Sequence, residues 1–413
     1  MRSRTALIGL LVLALGSSAL LARANVSSRS PTAIFVAAKV DVSHLNPISV
    51  SFDSLENGWV LATTSCAKRH ACLSLLETND GARSWSSVSL PSSFVADADR
   101  NPGSTSAATY GAASVNVRFA NNYDGWVYGT LPGTVSSDGL AVIGYRPVLW
   151  STHDGGRTWR RVSLPWESHE PSIYDVEADN GTVYAETLNR AYHVTLSSSP
   201  VGVDAWRTVP TGTLYLPAGG AQPTGAIALS GSSGWMVAGN DRGVSASLRV
   251  TGNGRWSTWT PPCESVGNSY AVPAASSPRD LVVVCQMGGF ASPLSPTAPA
   301  GATLGSNWLY FSSNGGRSFT SGPELKPRNF YFSGVLASPR ASVVVLSRGL
   351  GGSDDLMASF DRGRTWRVVY RGEPTYLSFT NSQQGVALIQ RHFGDDSMIM
   401  TFNGGRDWRV IRL

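Results

Sequence analysis

Seven acidic side chains fall in stretches between the apolar runs of this 413-residue chain: Glu167, Glu170, Glu264, Glu324, Glu373, Asp395 and Asp396. Two carboxyl groups held about 5–10 Å apart are what glycoside hydrolysis needs, so these acids are where a hydrolase would find its pair. The plainer expectation is that they are solvated loop charges and that the chain has no catalytic residue. Six histidines are scattered at 44, 70, 153, 169, 193 and 392. His169 and His392 stand beside acids, whereas His153 is expected to face solvent. Gly351-Gly352-Ser353-Asp354-Asp355 lacks the ligand spacing of a calcium loop. There is no serine nucleophile elbow, no phosphate-cradling loop and no zinc-protease motif. The expectation is therefore no metal and no cofactor.

A second set of residues suits binding rather than catalysis. Tyr145, Arg146, Trp166, His169, Tyr215, Tyr270, Arg348, Arg391 and His392 lie in connecting segments. Tyrosine, tryptophan and arginine combine large contact area with polar reach, which is why they concentrate at interfaces. A protein or a glycan is the partner such a set would fit. Nucleic acid is not, because removing Arg2, Arg4 and Arg23 leaves 30 basic against 28 acidic residues with no basic stripe.

The elements that must position these residues are read from a repeat. Thr78-Asn-Asp80-Gly-Ala82-Arg-Ser84-Trp85 returns as Thr152-His-Asp154-Gly-Gly156-Arg-Thr158-Trp159 and as Ser312-Ser-Asn314-Gly-Gly316-Arg-Ser318-Phe319. Ser359-Phe-Asp361-Arg-Gly363-Arg-Thr365-Trp366 and Thr401-Phe-Asn403-Gly-Gly405-Arg-Asp407-Trp408 complete five copies. The third residue can accept backbone N–H bonds two residues on and close a turn. The fifth, usually glycine, supplies a conformation that a Cβ penalises, and the final aromatic wedges into a core. Before each copy stands a tight hairpin, as in Val50-Ser-Phe52 with Gly58-Trp59-Val60, or Val117-Arg-Phe119 with Gly125-Trp126-Val127. Seven such hairpins can be counted, with worn turns at Trp206 and at Thr251-Gly-Asn253 with Trp259. Residues 47–413 then divide into units of about 52, the size of a four-stranded blade with its loops. Nine of the 13 tryptophans occupy the two recurrent positions, which makes them packing residues rather than a sugar platform. No helical periodicity stands out after residue 24.

The turn motif resembles the Asp box of the bacterial neuraminidase repeat, shared by sialidases, sortilin-type receptors and other propellers. With the Phe strand and the Gly-Trp pair, the chain most resembles the propeller of photosystem II assembly factors. The resemblance implies an all-β, seven-bladed propeller of four-stranded antiparallel blades, in which Asp80, Trp85, Asp154, Trp159, Asn314, Phe319, Asp361, Trp366, Asn403 and Trp408 are structural. It does not imply an activity. Sialidases have six blades and an Arg-Ile-Pro motif near their start, whereas this chain counts seven units and carries only Tyr145-Arg146-Pro147 in mid-chain.

In such blades the short first hairpin turns and the repeated turns share one face. The long connections, Pro91 to Ala113, Thr130 to Pro147, Leu164 to Ser172, Pro210 to Thr224 and Gly288 to Ser306, fall on the other, where binding is expected. Four cysteines allow three pairings; their blade positions favour Cys66–Cys72 and Cys263–Cys285, fastening the loop-rich face.

The N-terminus reads as an export signal over 1–24: Arg2 and Arg4, the apolar run Ala6 to Leu15, then Ala22-Arg23-Ala24. After it no membrane span is expected. Residues 25–46 form a leading segment in which Ala33 to Val40 could cover an open strand edge, and 47–413 form one domain. The expectation is a secreted or extracytoplasmic, monomeric binding or assembly module, with a glycosidase or a surface adhesion module as alternatives.

Overall fold

The computed structural model describes residues 45–66, 69–99, 114–135, 142–165, 172–189, 191–216, 224–240, 243–252, 254–263, 269–287, 306–325, 331–350, 353–390 and 396–413. Residues 1–24, the segment Ala33 to Val40 and the Cys66–Cys72 pairing lie outside what it describes.

Seven antiparallel sheets follow one another along the chain, six of four strands and one of five, each a meander with neighbours in sequence order. This is a seven-bladed β-propeller. The innermost strands are Asn46–Phe52, Ser114–Phe119, Ser172–Asp179, Thr224–Ser230, Ser269–Ala275, Tyr331–Arg340 and Glu373–Phe379. The fifth strand of the third sheet is Leu214–Tyr215, which pairs with His193–Pro200 beside the blade's own fourth strand. The expectation of no helix after residue 24 is corrected by Ser92–Asp99, a helix in the connection after blade one. It is only eight residues long and offers the core a single large group, the fully buried Phe94, so it leaves no periodic trace.

The recurrent residues have defined tasks. Phe52, Phe119 and Phe379 are paired in register with Gly58, Gly125 and Gly385. A Cβ on those glycines would sit 2.4, 2.4 and 2.7 Å from the phenylalanine ring, so the ring lies flat on the space a side chain would need. Trp59 of blade one then stacks on Phe119 of blade two at 3.8 Å with planes 4° apart. Phe119 in turn meets Trp159 of its own blade edge-on. Aromatic rings therefore run across the blade seam and back into the blade.

The repeated turns close as a common hydrogen-bond net. The first-position hydroxyl accepts the N–H of the fifth residue at 2.7–3.0 Å in all five copies. The third-position Oδ1 accepts the N–H of the seventh at 2.8–3.0 Å, four residues on rather than two. Where the third residue is Asp, the seventh is a hydroxyl that donates to its Oδ2 at 2.6 Å. Where it is Asn, Nδ2 donates instead, to Ser318 Oγ or to the carboxylate of Asp407. These bonds hold the Asp80 carboxyl far below the usual carboxylate range, with the Ser84 hydroxyl the largest cause.

Each turn is also stapled to the first hairpin of its blade. Gly81, Gly155, Gly315 and Gly404 donate N–H to the carbonyls of Glu56, Tyr123, Arg279 and Gln383, which places both turn sets on one face, called the turn face below. The fifth-position glycine touches the preceding blade. A Cβ at Gly156 would lie 2.3 Å from Val88, one at Gly316 3.0 Å from Trp235, and one at Gly363 2.7 Å from Leu309.

Among the described residues the ring closes without a shared strand. Val50, Phe52, Val60 and Leu76 of blade one pack with Val386, Leu388, Met398 and Met400 of blade seven in one buried cluster. Gln384 Nε2 adds a bond to Leu55 O at 3.0 Å. Cys263 and Cys285 form a disulfide with Cα atoms 5.2 Å apart, joining the end of blade four to the second strand of blade five.

Trp159 packs against blade one while its indole N–H donates to Ser89 O at 2.7 Å, and it remains half-buried. Trp159→Ala should cost about 2–4 kcal/mol. Gly156→Ala, which adds a methyl where φ is 86° and Val88 is already in contact, should cost about 2–5 kcal/mol. Chemical denaturation of both variants checks this; a wild-type midpoint for Gly156→Ala would show that the seam tolerates a side chain there.

Candidate functional site

A depression of about 590 Å³ opens on the propeller axis at the turn face, with all seven blades contributing to its wall. Its rim is made of short turn residues, among them Asn121, Asn180, Ser230, Ser276 and Asn381. On the side of blades four to six the wall is small and uncharged, with Ala228, Pro273 and Ala337. On the side of blades two and three it is charged.

The charge comes from the inner strands Ser114–Phe119 and Ser172–Asp179, with Asp53 added just after the inner strand of blade one. Arg118 Nη2 lies 2.7 Å from Glu177 Oε2, and the same nitrogen donates to Ala178 O at 3.4 Å. Arg118 thus ties blade two to blade three. Two residues before Glu177, on the same side of the strand, Asp175 accepts the backbone N–H of Ile227 at 2.9 Å and ties blade three to blade four. Asp175 stands in register with Glu186 on the next strand. Glu186 is buried, with a carboxylate oxygen where a Cβ of Gly225 would lie only 2.3 Å away. Tyr376 of blade seven, half-buried, and Tyr128 of blade two, buried, are close enough to feel these charges.

Three acids share this region with one arginine, and burial decides their protonation. It raises Asp175 well above the ordinary carboxylate range, and the charge of Glu177 adds to the effect. Burial also raises Glu186 above the ordinary range, with Asp175 contributing. Glu177 is raised by burial although Arg118 opposes the shift. What the arrangement does physically is hold blades two, three and four together around the axis and leave one ion pair on the depression wall.

Similar side-chain bonds recur at other seams. Innermost strands leave one edge of N–H and C=O groups without a sheet partner. Ser49 Oγ accepts from Val117 N at 3.0 Å and Ser51 Oγ from Phe119 N at 2.9 Å, while Gln286 Nε2 donates to Phe332 O at 2.9 Å.

The residues singled out from sequence for binding are dispersed. Tyr145 and Arg146 fall on the third strand of blade two, Val142–Thr152, but their side chains, like Trp166, His169, Arg391 and His392 altogether, lie outside the described residues. Tyr215 is 51% exposed and meets His193 edge-on at 4.1 Å. Tyr270 is half-buried on the inner strand of blade five. Arg348 is bound to Asp355 at 2.6 Å across one strand pair of blade six. His153 is exposed, as expected, yet its ring also has partners. Its Nδ1 lies 2.8 Å from Asp124 and its Nε2 3.4 Å from Asp204 of blade three, because the second turn position points at the neighbouring blade. Arg118, Asp175, Glu177 and Glu186 were not anticipated. The signal was present as charges inside the strands Val117-Arg118-Phe119 and Ile173 to Ala178, where every other position is apolar.

No protein-family model matches the chain, and no curated protein matches it. Solved structures do. A lectin from Burkholderia pseudomallei, BP39L, aligns over 89% of this chain and 100% of its own, at 12% identity and a TM-score of 0.51. A family 25 polysaccharide lyase, an ulvan lyase, aligns over 88% and 95%, at 10% identity and a TM-score of 0.52. YCF48, solved bound to a D1 peptide, aligns over 87% and 94%, at 19% identity and a TM-score of 0.48. The likeness is one of fold. Propellers of this shape include binding proteins and enzymes, so the depression must be read from its own residues.

The buried acids set a pH dependence. A carboxyl group whose folded pKa is raised stabilises the fold fully below its unfolded value near 4 and loses that contribution as pH rises. Asp175, Glu177 and Glu186 act this way, whereas Asp80 and Asp361, held low by their turns, lose their contribution on acidification below about 4. Thermal stability should therefore peak near pH 4–5 and fall toward pH 8. Asp175→Asn should flatten the fall. Melting curves from pH 4 to 8 test it, and a wild-type profile that rises toward pH 8 contradicts it.

Proposed function

We propose that this chain is a non-catalytic binding propeller, exported from the cytoplasm, that holds a protein or glycan partner. The observation that carries the reading is the axial depression, whose rim is built of amides and hydroxyls and whose charged wall is already tied up in structure. Arg118 pairs with Glu177 at 2.7 Å, and Asp175 serves the backbone of Ile227. Such a surface offers hydrogen bonds; its two other carboxyl groups, Asp53 and Asp179, come from separate blades, and Asp179 already accepts the N–H of Asn180 at 2.7 Å. The disulfide joining blades four and five supports action in an oxidising compartment, as does the resemblance of residues 1–24 to an export signal. The loop-rich face, with Tyr145, Arg146, Trp166, His169, Tyr215, Tyr270, Arg348, Arg391 and His392, is the second surface that such a partner could use.

One observation favours a hydrolase as the alternative: Glu177 lines the depression close to Asp175, whose pKa burial pushes up to about 7, the range in which a carboxyl group can serve as a general acid. Against it stands the 2.7 Å bond of Glu177 to Arg118, which a reacting carboxylate would have to give up.

Glycan and peptide arrays probed with the protein, followed by two sets of variants, test the proposal. Asn121→Ala, Asn180→Ala and Asn381→Ala alter the depression rim; Arg146→Ala, Trp166→Ala and Arg391→Ala alter the loop face. Binding should fall at least about tenfold in one set and persist in the other, as expected when a few residues carry an interface. Cleavage of any bound glycan, abolished by Glu177→Gln, would replace this reading with the hydrolase.

A further inference from the structure

A second cavity, of about 340 Å³, lies on the turn face at the seam of blades four and five. Three arginines line it: Arg249 from the third strand of blade four, Arg279 from the first hairpin turn of blade five, and Arg317 from that blade's repeated turn. Thr251, Asn314 and Gly315 complete much of the wall, and no carboxylate lines it. The nearest acid in sequence, Asp280, is directed into its own turn, where Ser277 Oγ donates to it at 2.7 Å.

The repeat explains only part of this. Arginine fills the sixth position of every repeated turn, so Arg317 belongs to the pattern. Arg249 does not. It stands in register with Trp235, a position taken by Glu77 opposite Trp59 and by Ser151 opposite Trp126. Arg279 likewise occupies the turn position whose carbonyl holds the repeated turn, filled elsewhere by Glu56, Tyr123, Ser342 and Gln383. Only at this seam do both variable positions carry cations.

The donors of Arg249 are half used. Nη1 donates to Gly315 O at 3.1 Å, an oxygen that also accepts from Trp235 Nε1 at 3.3 Å, while Nε is buried without a hydrogen-bond partner. Arg279 and Arg317 are exposed and make no side-chain bond or ion pair among the described residues. Guanidinium groups remain charged at every accessible pH, so three around one cavity repel one another unless an anion enters. Their planar forks match oxyanion geometry.

We propose that this cavity is an oxyanion site for a sulfate- or phosphate-type group, either the free ion or the same group carried on a sugar. Arg249 supplies the fixed donor at the base of the seam, and Arg279 and Arg317 close over the anion from blade five. The site is separate from the axial depression and does not rest on the function proposed for it.

Calorimetric titration of the protein with sodium sulfate and sodium phosphate, against sodium chloride at matched ionic strength, tests the site. One saturable site is expected for sulfate or phosphate and none for chloride. Arg249→Gln should weaken binding at least about tenfold, the effect of removing one charge-assisted donor. Because Arg249 also holds Gly315, a second variant carries Arg279→Gln and Arg317→Gln, both exposed; it should keep the wild-type melting temperature and lose binding to a similar degree. A monosulfated sugar and its desulfated counterpart separate the two sources. Binding of the sulfated sugar places the group on a saccharide, and binding of the inorganic ions without it makes the site one for the free ion. An unchanged isotherm in the double variant overturns the proposal. So does a response that follows ionic strength whatever the anion, or capture of an acidic peptide with no response to either inorganic ion.

Discussion

The contact on which the rest of this molecule depends is the close approach of one blade to the next. Each blade is a twisted four-stranded sheet that buries both faces only against its neighbours, so none has a core of its own. Where a phenylalanine lies flat on a glycine, the next blade's ring can meet a tryptophan face to face, as Phe119 meets Trp59. Where the fifth turn residue lacks a side chain, the turn settles on the preceding blade, as Gly156 does on Val88. Ala82 is the one repeated turn that keeps a Cβ there, at φ 67°, and it faces the closing seam between blades one and seven.

Seams built this way leave a problem at the axis. Seven innermost strands each present one unpaired backbone edge, and water is not an adequate partner along the whole of a narrowing channel. Short hydroxyl, carboxyl and amide side chains from one blade meet the edge of the next, at Ser49, Ser51, Asp175 and Gln286. Where the side chain is an acid, as at Asp175, burial raises its pKa above the ordinary carboxylate range. The charged cluster of blades two and three is thus structural in origin, and the depression above it carries that ion pair together with the carboxyl groups of Asp53 and Asp179.

The same economy separates the two faces. The turn face is uniform because each repeated turn is fixed by its own side-chain net and by one backbone bond to the first hairpin. Specialisation there enters through positions whose carbonyl or strand register is used while the side chain is left free. Arg279 is such a position, Arg249 is one whose side chain is only partly used, and their coincidence at one seam makes a basic cavity that neither blade has alone. The disulfide fastens the same pair of blades.

The sequence by itself determined the repeat, and with it the all-β class, the seven blades and the identity of the turn and wedge residues, because each task admits few residue types. A φ near 80° at the seam calls for glycine, and a side-chain-closed turn calls for Asp or Asn. Nothing comparable marks residues that act across blades. His153 reads as a free turn position until Asp204, 51 residues later, is placed beside it. Arg118 and Glu177 are 59 residues apart, and Arg249 and Arg317 are 68 apart, distances at which neither turn chemistry nor strand alternation carries information. The tertiary structure decided those pairings because the angle between successive blades, set by sheet twist and seam packing, fixes which side chains share a cavity.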